Sequence, residues 1–169
     1  GNNLAQGIQI GDSGEDFDGD GYLDIMASSW GLRDPIRYFR NRGDGTFADR
    51  TEAAGLSGIV GGLNTCQADY DNNGYMDVLV LRGAWLDKEG YHPNSLLANQ
   101  GEGRFVDTTE KAGLLTLHPT QTAAWGDFDN DGWVDLFVGN ESRGEEIHPC
   151  ELFHNQGDGT FVDEAVAGG

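Results

Sequence analysis

The chain carries one two-part motif three times, and this repetition limits it to folds made of like units packed against one another. The first part reads "DFDGDGYLDIM" from Asp16, "DYDNNGYMDVL" from Asp69 and "DFDNDGWVDLF" from Asp127. The second reads "YFRNRGDGTFADRTEAAGL" from Tyr38, "LLANQGEGRFVDTTEKAGL" from Leu96 and "LFHNQGDGTFVDEAVAGG" from Leu152. Between the parts lies an aligned proline, Pro35, Pro93 or Pro149, preceded by Asp34, His92 or His148. Repeat 1 spans about 7–57, repeat 2 about 58–115 and repeat 3 about 116–169, with no linker between them, so they should pack as one body.

Within a repeat the period is that of strands. In the second copy "NTCQADY" enters the acidic loop and "DVLVLRG" leaves it, while "SLLAN" and "RFVDTT" flank the turn "QGEG". That makes two hairpins, with glycine supplying positive φ in the turn, and "TEKAGL" reads as one helical turn. Four short strands per repeat point to an all-β fold of three four-stranded propeller-type blades, whose faces are buried only by neighbouring blades.

The acidic loops call for a cation. Counting from the first Asp, positions 1, 3 and 5 are Asp16, Asp18 and Asp20, then Asp69, Asp71 and Asn73, then Asp127, Asp129 and Asp131. Position 6 is glycine, where the chain must bend. Position 7 (Tyr22, Tyr75, Trp133) is expected to offer its backbone carbonyl, and position 9 is Asp24, Asp77 or Asp135. Calcium takes about 6–8 oxygens in flexible geometry, which suits this alternation. Magnesium prefers a stricter octahedron, and zinc or copper would want His or Cys, which these loops lack. An EF-hand would need Glu at position 12, where Ala27, Val80 and Val138 stand inside apolar strand-like runs. About three calcium ions per chain are therefore expected in structural roles, the middle one weakest because of Asn73.

Composition sharpens this. With 10 Lys+Arg against 29 Asp+Glu the formal net charge is -19, which argues against nucleic acid or an anionic membrane as partner. No apolar run approaches the roughly 20 residues of a membrane-spanning helix, so membrane insertion is not expected. No signal peptide is visible, and the N-terminus looks like a mature or excised end. Twenty-seven Gly with 4 Trp, 5 Tyr and 8 Phe favour an ordered, turn-rich β protein over disorder. Cys66 and Cys150 are compatible with one disulfide or with two free thiols.

The pairing of "DxDxDGxxD" with "NxGDGTFxDxTxxAGL" resembles the FG-GAP/VCBS repeat family of integrin-α-like propellers, and in particular bacterial proteins similar to cartilage acidic protein. The resemblance covers essentially the whole chain. It implies a calcium-stabilised, usually seven-bladed propeller of bacterial origin, extracellular or on the cell surface or in the periplasm, that acts in adhesion, carbohydrate binding or scaffolding. Asn73, and "GEG" in place of "GDG" at Gly101 to Gly103, depart from the pattern. Three repeats do not fill a ring of about 4–8 blades. The chain is thus expected to be part of a larger propeller, partnered by the missing blades of a longer chain, or of a multi-chain or filamentous assembly of copies of itself.

Other motifs have plainer readings. "RGD" at Arg42 to Asp44 aligns with "QGE" and "QGD", so it reads as a turn. His92 and His148 read as structural hydrogen-bonding groups rather than transition-metal ligands. Trp30, Trp125 and Trp133, with Tyr22 and Tyr75, read chiefly as packing residues. Trp85, in the longest insertion, is the best exposed candidate for stacking on a sugar. "NES" at Asn140 is a lone glycosylation sequon. No nucleophile with its base and no phosphate loop is visible, so an enzyme is not expected, and a hydrolase is a distant alternative. The expected function is a calcium-stabilised extracellular module that binds a protein or glycan through loops at Arg33, Trp85 to Tyr91 and Ser142 to Glu146, the alternative being a structural subunit of a polymer.

Overall fold

The structure, a computed structural model, describes residues 8–9, 14–29, 31, 33–84 and 90–165. The expected position of Trp30 and most of the Trp85 insertion, Trp85 to Glu89, lie outside the described residues. Repeat 1 contains β1 (Ile8–Gln9), β2 (Gly14–Glu15), β3 (Asp24–Ser29), β4 (Arg37–Asn41) and β5 (Phe47–Asp49). Repeat 2 contains β6 (Asn64–Ala68), β7 (Asp77–Leu81), β8 (Ser95–Asn99) and β9 (Phe105–Asp107). Repeat 3 contains β10 (Thr120–Gly126), β11 (Asp135–Asn140), β12 (Glu151–Asn155) and β13 (Phe161–Asp163). Each repeat forms one antiparallel sheet in chain order, as expected of a blade. In the first, β1 and β2 both pair with β3, at its C- and N-terminal ends, and together fill the place that β6 or β10 holds elsewhere. After β5 and β9 the chain makes one helical-type turn, closed by Ala54 N–H to Arg50 O at 2.8 Å and Ala112 N–H to Thr108 O at 2.7 Å.

Strand periodicity decides how the blades stack. Successive side chains of a strand face opposite sides, and the middle blade has a neighbour on both. Val78, Val80 and Leu97 therefore join Phe17, Met26, Ile36, Tyr38 and Phe105 in a core between blades 1 and 2. Leu79, Leu81, Leu96 and Ala98 join Tyr70, Leu136, Val138, Phe153 and Phe161 in a core between blades 2 and 3. This is why "VLVL" after Asp77 is apolar throughout and β7 is wholly buried, whereas β3 alternates buried and half-buried positions. Each fully buried Val, Leu or Phe contributes about 1.5–3 kcal/mol, so the two cores hold most of the fold's apolar stabilisation.

The same backbone bond recurs at both junctions: Phe105 N–H donates to Ala54 O and Phe161 N–H to Ala112 O, each at 2.9 Å. Arg82 is buried at the first junction, where it donates to the carbonyls of Val60 (2.6 Å) and Gly61 (3.1 Å) in the connection and to Pro93 O and Ser95 Oγ (both 2.8 Å) in its own blade. Among the described residues, the outward faces of blades 1 and 3 have no such neighbour. Phe47 (42% exposed), Phe128 (44%) and Phe137 (42%) lie there, although their counterparts elsewhere in the chain, such as Phe105, Phe17 and Leu79, are buried. Among the described residues no helix is long and apolar enough to cross a membrane.

Candidate metal centres

Each acidic loop is wound around its first carboxylate. Asp69 accepts the N–H groups of Asn73 (2.9 Å) and Gly74 (2.8 Å), Asp127 those of Asp131 (3.1 Å) and Gly132 (3.0 Å), and Asp16 those of Gly19, Asp20 and Gly21 (2.8–3.0 Å). Such winding needs a left-handed residue at position 6, and Gly21, Gly74 and Gly132 have φ of 88°, 88° and 93°. Position 4 is left-handed too, as Gly19, Asn72 and Asn130, residue types that accept this conformation, which explains the alternation of Gly and Asn there.

The loops gather the carboxylates of positions 1, 3 and 9. Asp16, Asp18 and Asp24, then Asp69, Asp71 and Asp77, then Asp127, Asp129 and Asp135 each place one oxygen per residue within 4.8 Å of the others. Position 9 sits at the base, with Asp24, Asp77 and Asp135 buried. It also ties the loop to the second hairpin: Asp77 accepts from Asn99 N–H (2.7 Å) and Tyr70 N–H (3.0 Å), and Asp135 from Asn155 N–H (2.8 Å) and Phe128 N–H (3.0 Å). Asp24 accepts from Asn41 N–H and the Tyr38 hydroxyl, both at 2.7 Å. Burial pushes the Asp77 carboxyl up to about 7 even though these bonds pull it down, with the Asp71 and Asp69 charges adding to the rise. Burial also raises Asp24 and Asp71. Converging, partly desolvated carboxylates of this kind gain from a divalent cation, and an all-oxygen donor set suits calcium.

Position 5 plays a different part. Asp20, Asn73 and Asp131 accept the N–H of Tyr22, Tyr75 and Trp133 at 2.8–2.9 Å, and Asp20 does not join the group of positions 1, 3 and 9. Its contacts run to the second hairpin. The Arg40 guanidinium bonds Asp18 through Nε and Asp20 through a terminal nitrogen at 2.6 Å. Asn73 instead donates to Asn99 O at 3.0 Å. Asp131 clusters with Asp129 and His154, whose Nδ1 lies 3.2 Å from Asp135 and 3.7 Å from Asp129. Arg40 and His154 were missed in the sequence because they lie in the second motif, far from the loops they reach. The signal available was their register, one residue before the repeated Asn.

The position-7 aromatics cover the second hairpin's turn. A Cβ on Gly43, Gly101 or Gly157 would fall 2.6, 2.9 or 2.9 Å from the ring of Tyr22, Tyr75 or Trp133, and all three glycines have positive φ. These rings thus pack within their own repeats. The repeated Asn links blades: Asn99 Nδ2 donates to Phe17 O (3.0 Å) and Asn155 Nδ2 to Tyr70 O (2.9 Å), each in the preceding blade.

The remaining motifs fall into place. Asp44 of the "RGD" accepts from Thr46 N–H (2.9 Å) and Oγ (2.6 Å), so its carboxylate is folded into its own turn, and these bonds hold it below its ordinary value. His148 pairs with His118, their Nδ1 atoms 3.1 Å apart, and Tyr91 packs edge-on against His148. His92 is half-buried. Cys66 and Cys150 are free thiols.

The chain matches the FG-GAP-like repeat over residues 16–80, 84–138 and 127–169. It is 33% identical to cartilage acidic protein 1 of Xenopus tropicalis over 109 residues, 63% of this chain and 16% of that protein. The human protein of that name is also 33% identical, over 63% of this chain and 15% of its own length. The mouse protein is 27% identical over 97% of this chain and 27% of its length. The chain thus spans well under a third of each of these relatives. Among solved structures, an Agrocybe aegerita lectin described as recognising non-reducing terminal N-acetylglucosamine is loosely similar, with 22% identity and a TM-score of 0.47 over 87% of this chain and 35% of that one. On the matches that cover all three repeats, the chain belongs to the FG-GAP-like repeat family.

Proposed function

We propose that the chain is a calcium-stabilised, non-catalytic binding and scaffold segment of an extracellular protein. The observation that carries this reading is the convergence of positions 1, 3 and 9 in all three loops, with a buried carboxylate at each base. Calcium there would join the loop to the second hairpin through position 9, so binding would stabilise the blade rather than serve chemistry. Recognition of a protein or glycan would fall to the loops between the hairpins, including Ser142 to Glu146, where Arg143 and Glu146 pair through two backbone bonds of 2.9–3.0 Å. Family membership and the similarity to cartilage acidic protein 1 support an extracellular setting.

The test is thermal unfolding in EGTA and then with added calcium. A ligand at 100 times its Kd adds about 2.7 kcal/mol, and each kcal/mol moves the midpoint of a chain this size by about 2–4 °C. A rise of about 5–10 °C on calcium addition is expected. An unchanged midpoint would refute the calcium reading.

A second reading, assembly through the open blade faces, is favoured by a specific observation. The uncovered face of blade 1 matches the face of blade 2 that packs on blade 1, and the uncovered face of blade 3 matches the face of blade 2 that packs on blade 3. They are complementary halves of the junction already made twice. A further blade, from the same longer chain or from a second copy, would fit each of them head to tail.

A further inference from the structure

The three loops differ in one register position, and the difference is electrostatic. The residue just before the repeated Asn is Arg40 in blade 1, Ala98 in blade 2 and His154 in blade 3. Position 5 changes with it: Asp20 stands opposite Arg40, Asn73 opposite Ala98, and Asp131 opposite His154. A carboxylate at position 5 thus occurs only where the second hairpin sends an Arg or His toward it. In blade 2, where no such side chain arrives, the carboxylate is replaced by an amide that bonds the strand backbone. The charge at position 5 is matched to a partner within the blade.

In loop 1 the match extends to the metal group itself. Arg40 takes an oxygen of Asp18, one of the three converging carboxylates, as well as one of Asp20. The backbone bonds to the first carboxylate are shared by all three loops, so Arg40 is what sets loop 1 apart. A guanidinium spanning two carboxylates is a strong, geometrically fixed pairing. A calcium ion would have to displace it to gain Asp18. Among the described residues no Arg, Lys or His pairs with a carboxylate of loop 2, and the position of Arg40 is taken by Ala98, a buried apolar residue of the core. In loop 3, His154 approaches Asp135 at 3.2 Å and Asp129 at 3.7 Å through a single ring nitrogen, without the two-pronged guanidinium pairing that Arg40 makes in loop 1.

We infer that Arg40 is the built-in cation of blade 1: it neutralises the first loop from within the chain, so calcium enters loops 2 and 3 but not loop 1. This rests on the calcium reading and amends it, since Asn73 then marks the loop left open for the ion rather than the weakest one. The arrangement makes blade 1 independent of calcium while its neighbours depend on it.

Native mass spectrometry of the chain with calcium separates the outcomes. The wild type should carry about two ions and Arg40→Ala about three, by the one-ion-per-loop rule. In the Arg40→Ala background, Asp18→Asn should remove the added ion again, which places it in loop 1. Melting supplies an independent readout: in EGTA, Arg40→Ala should melt below the wild type, and calcium should restore more of its stability than it adds to the wild type. Arg40→Gln, which keeps most of the side chain's bulk, should behave as Arg40→Ala does, showing that charge rather than packing is lost. Three ions on the wild type, or no gain in Arg40→Ala, would overturn the inference while leaving the calcium reading intact. No ions on either protein would overturn both.

Discussion

Two cysteines and two glycines show how context divides residues of one type. Cys150 is exposed, whereas burial pushes the Cys66 thiol from 9.0 up to about 12. A thiol-specific reagent should therefore modify Cys150 quickly and Cys66 only as the chain opens, which peptide mapping after timed labelling would read. Cys66 also sets a pH dependence. The folded chain keeps a proton that the unfolded chain gives up, so this stability is complete below about pH 9 and is lost as pH rises toward 12. Cys66→Ala should flatten the alkaline fall in the urea midpoint relative to the wild type. The turn glycine Gly101 has a sharper requirement, because its φ is 82° and the Tyr75 ring lies 2.9 Å from where a Cβ would be. Gly101→Ala should cost about 2 kcal/mol or more, from left-handed strain of about 1–2 kcal/mol plus displacement of the ring. Urea unfolding would measure this, with Gly45→Ala as a control at a positive-φ glycine whose Cβ would meet open space.

At the scale of elements, the second hairpin does more than continue the sheet. Its Asn, Asn99 in blade 2, donates its backbone N–H to the position-9 Asp, accepts the turn glycine's N–H at its amide oxygen and donates its amide nitrogen to two carbonyls, one of them in the preceding blade. Asn41 makes the bonds within its own blade, to Asp24, Leu23 and Gly43. Removing Asn99 or Asn155 should therefore cost more than removing Asn41. The excess should be about 0.5–1.5 kcal/mol, the net worth of the lost inter-blade bond, and smaller for Asn99, because Phe17 O also accepts from Gly103 N–H at 3.2 Å. Unfolding of Asn41→Ala, Asn99→Ala and Asn155→Ala side by side gives the comparison, and equal losses would show that the inter-blade bond adds nothing. The hairpins themselves were legible from alternation and turn residues. The Asn hub was not, because its partners Phe17 O and Tyr70 O lie 82 and 85 residues away in sequence.

For the whole molecule, the stacking order governs behaviour in solution. Among the described residues two junctions are filled and two half-junctions are open, and the open halves expose aromatic side chains whose counterparts are buried. A charge on one half should weaken any head-to-tail association without unfolding the chain, since the target side chain is already exposed. Phe137→Lys is expected to shift sedimentation velocity profiles toward the monomer and to leave the unfolding free energy of that monomer within about 0.5 kcal/mol of the wild type. A profile independent of both concentration and this substitution would remove the self-assembly reading and leave further blades of a longer chain as the occupant.

Sequence alone determined the threefold repeat, the two hairpins in each unit and the set of acidic or amide loop positions 1, 3, 5 and 9, because each is written in short-range spacing; that positions 1, 3 and 9 converge came from the structure. Sequence showed position 5 as one more acidic or amide residue of the loop, since spacing cannot tell a carboxylate facing a metal from one facing an arginine. Only the tertiary structure decided that Asp20 and Asp18 meet Arg40, that Asn73 turns to a strand carbonyl and that His154 reaches the third loop. The same holds for the faces of the blades: alternation marks two sides of every strand, but which sides are covered depends on neighbours that no single repeat contains. The physical reason is common to both cases. Charge balance and burial are settled by groups brought together across hairpins and blades, and those distances exist only once the sheets have stacked.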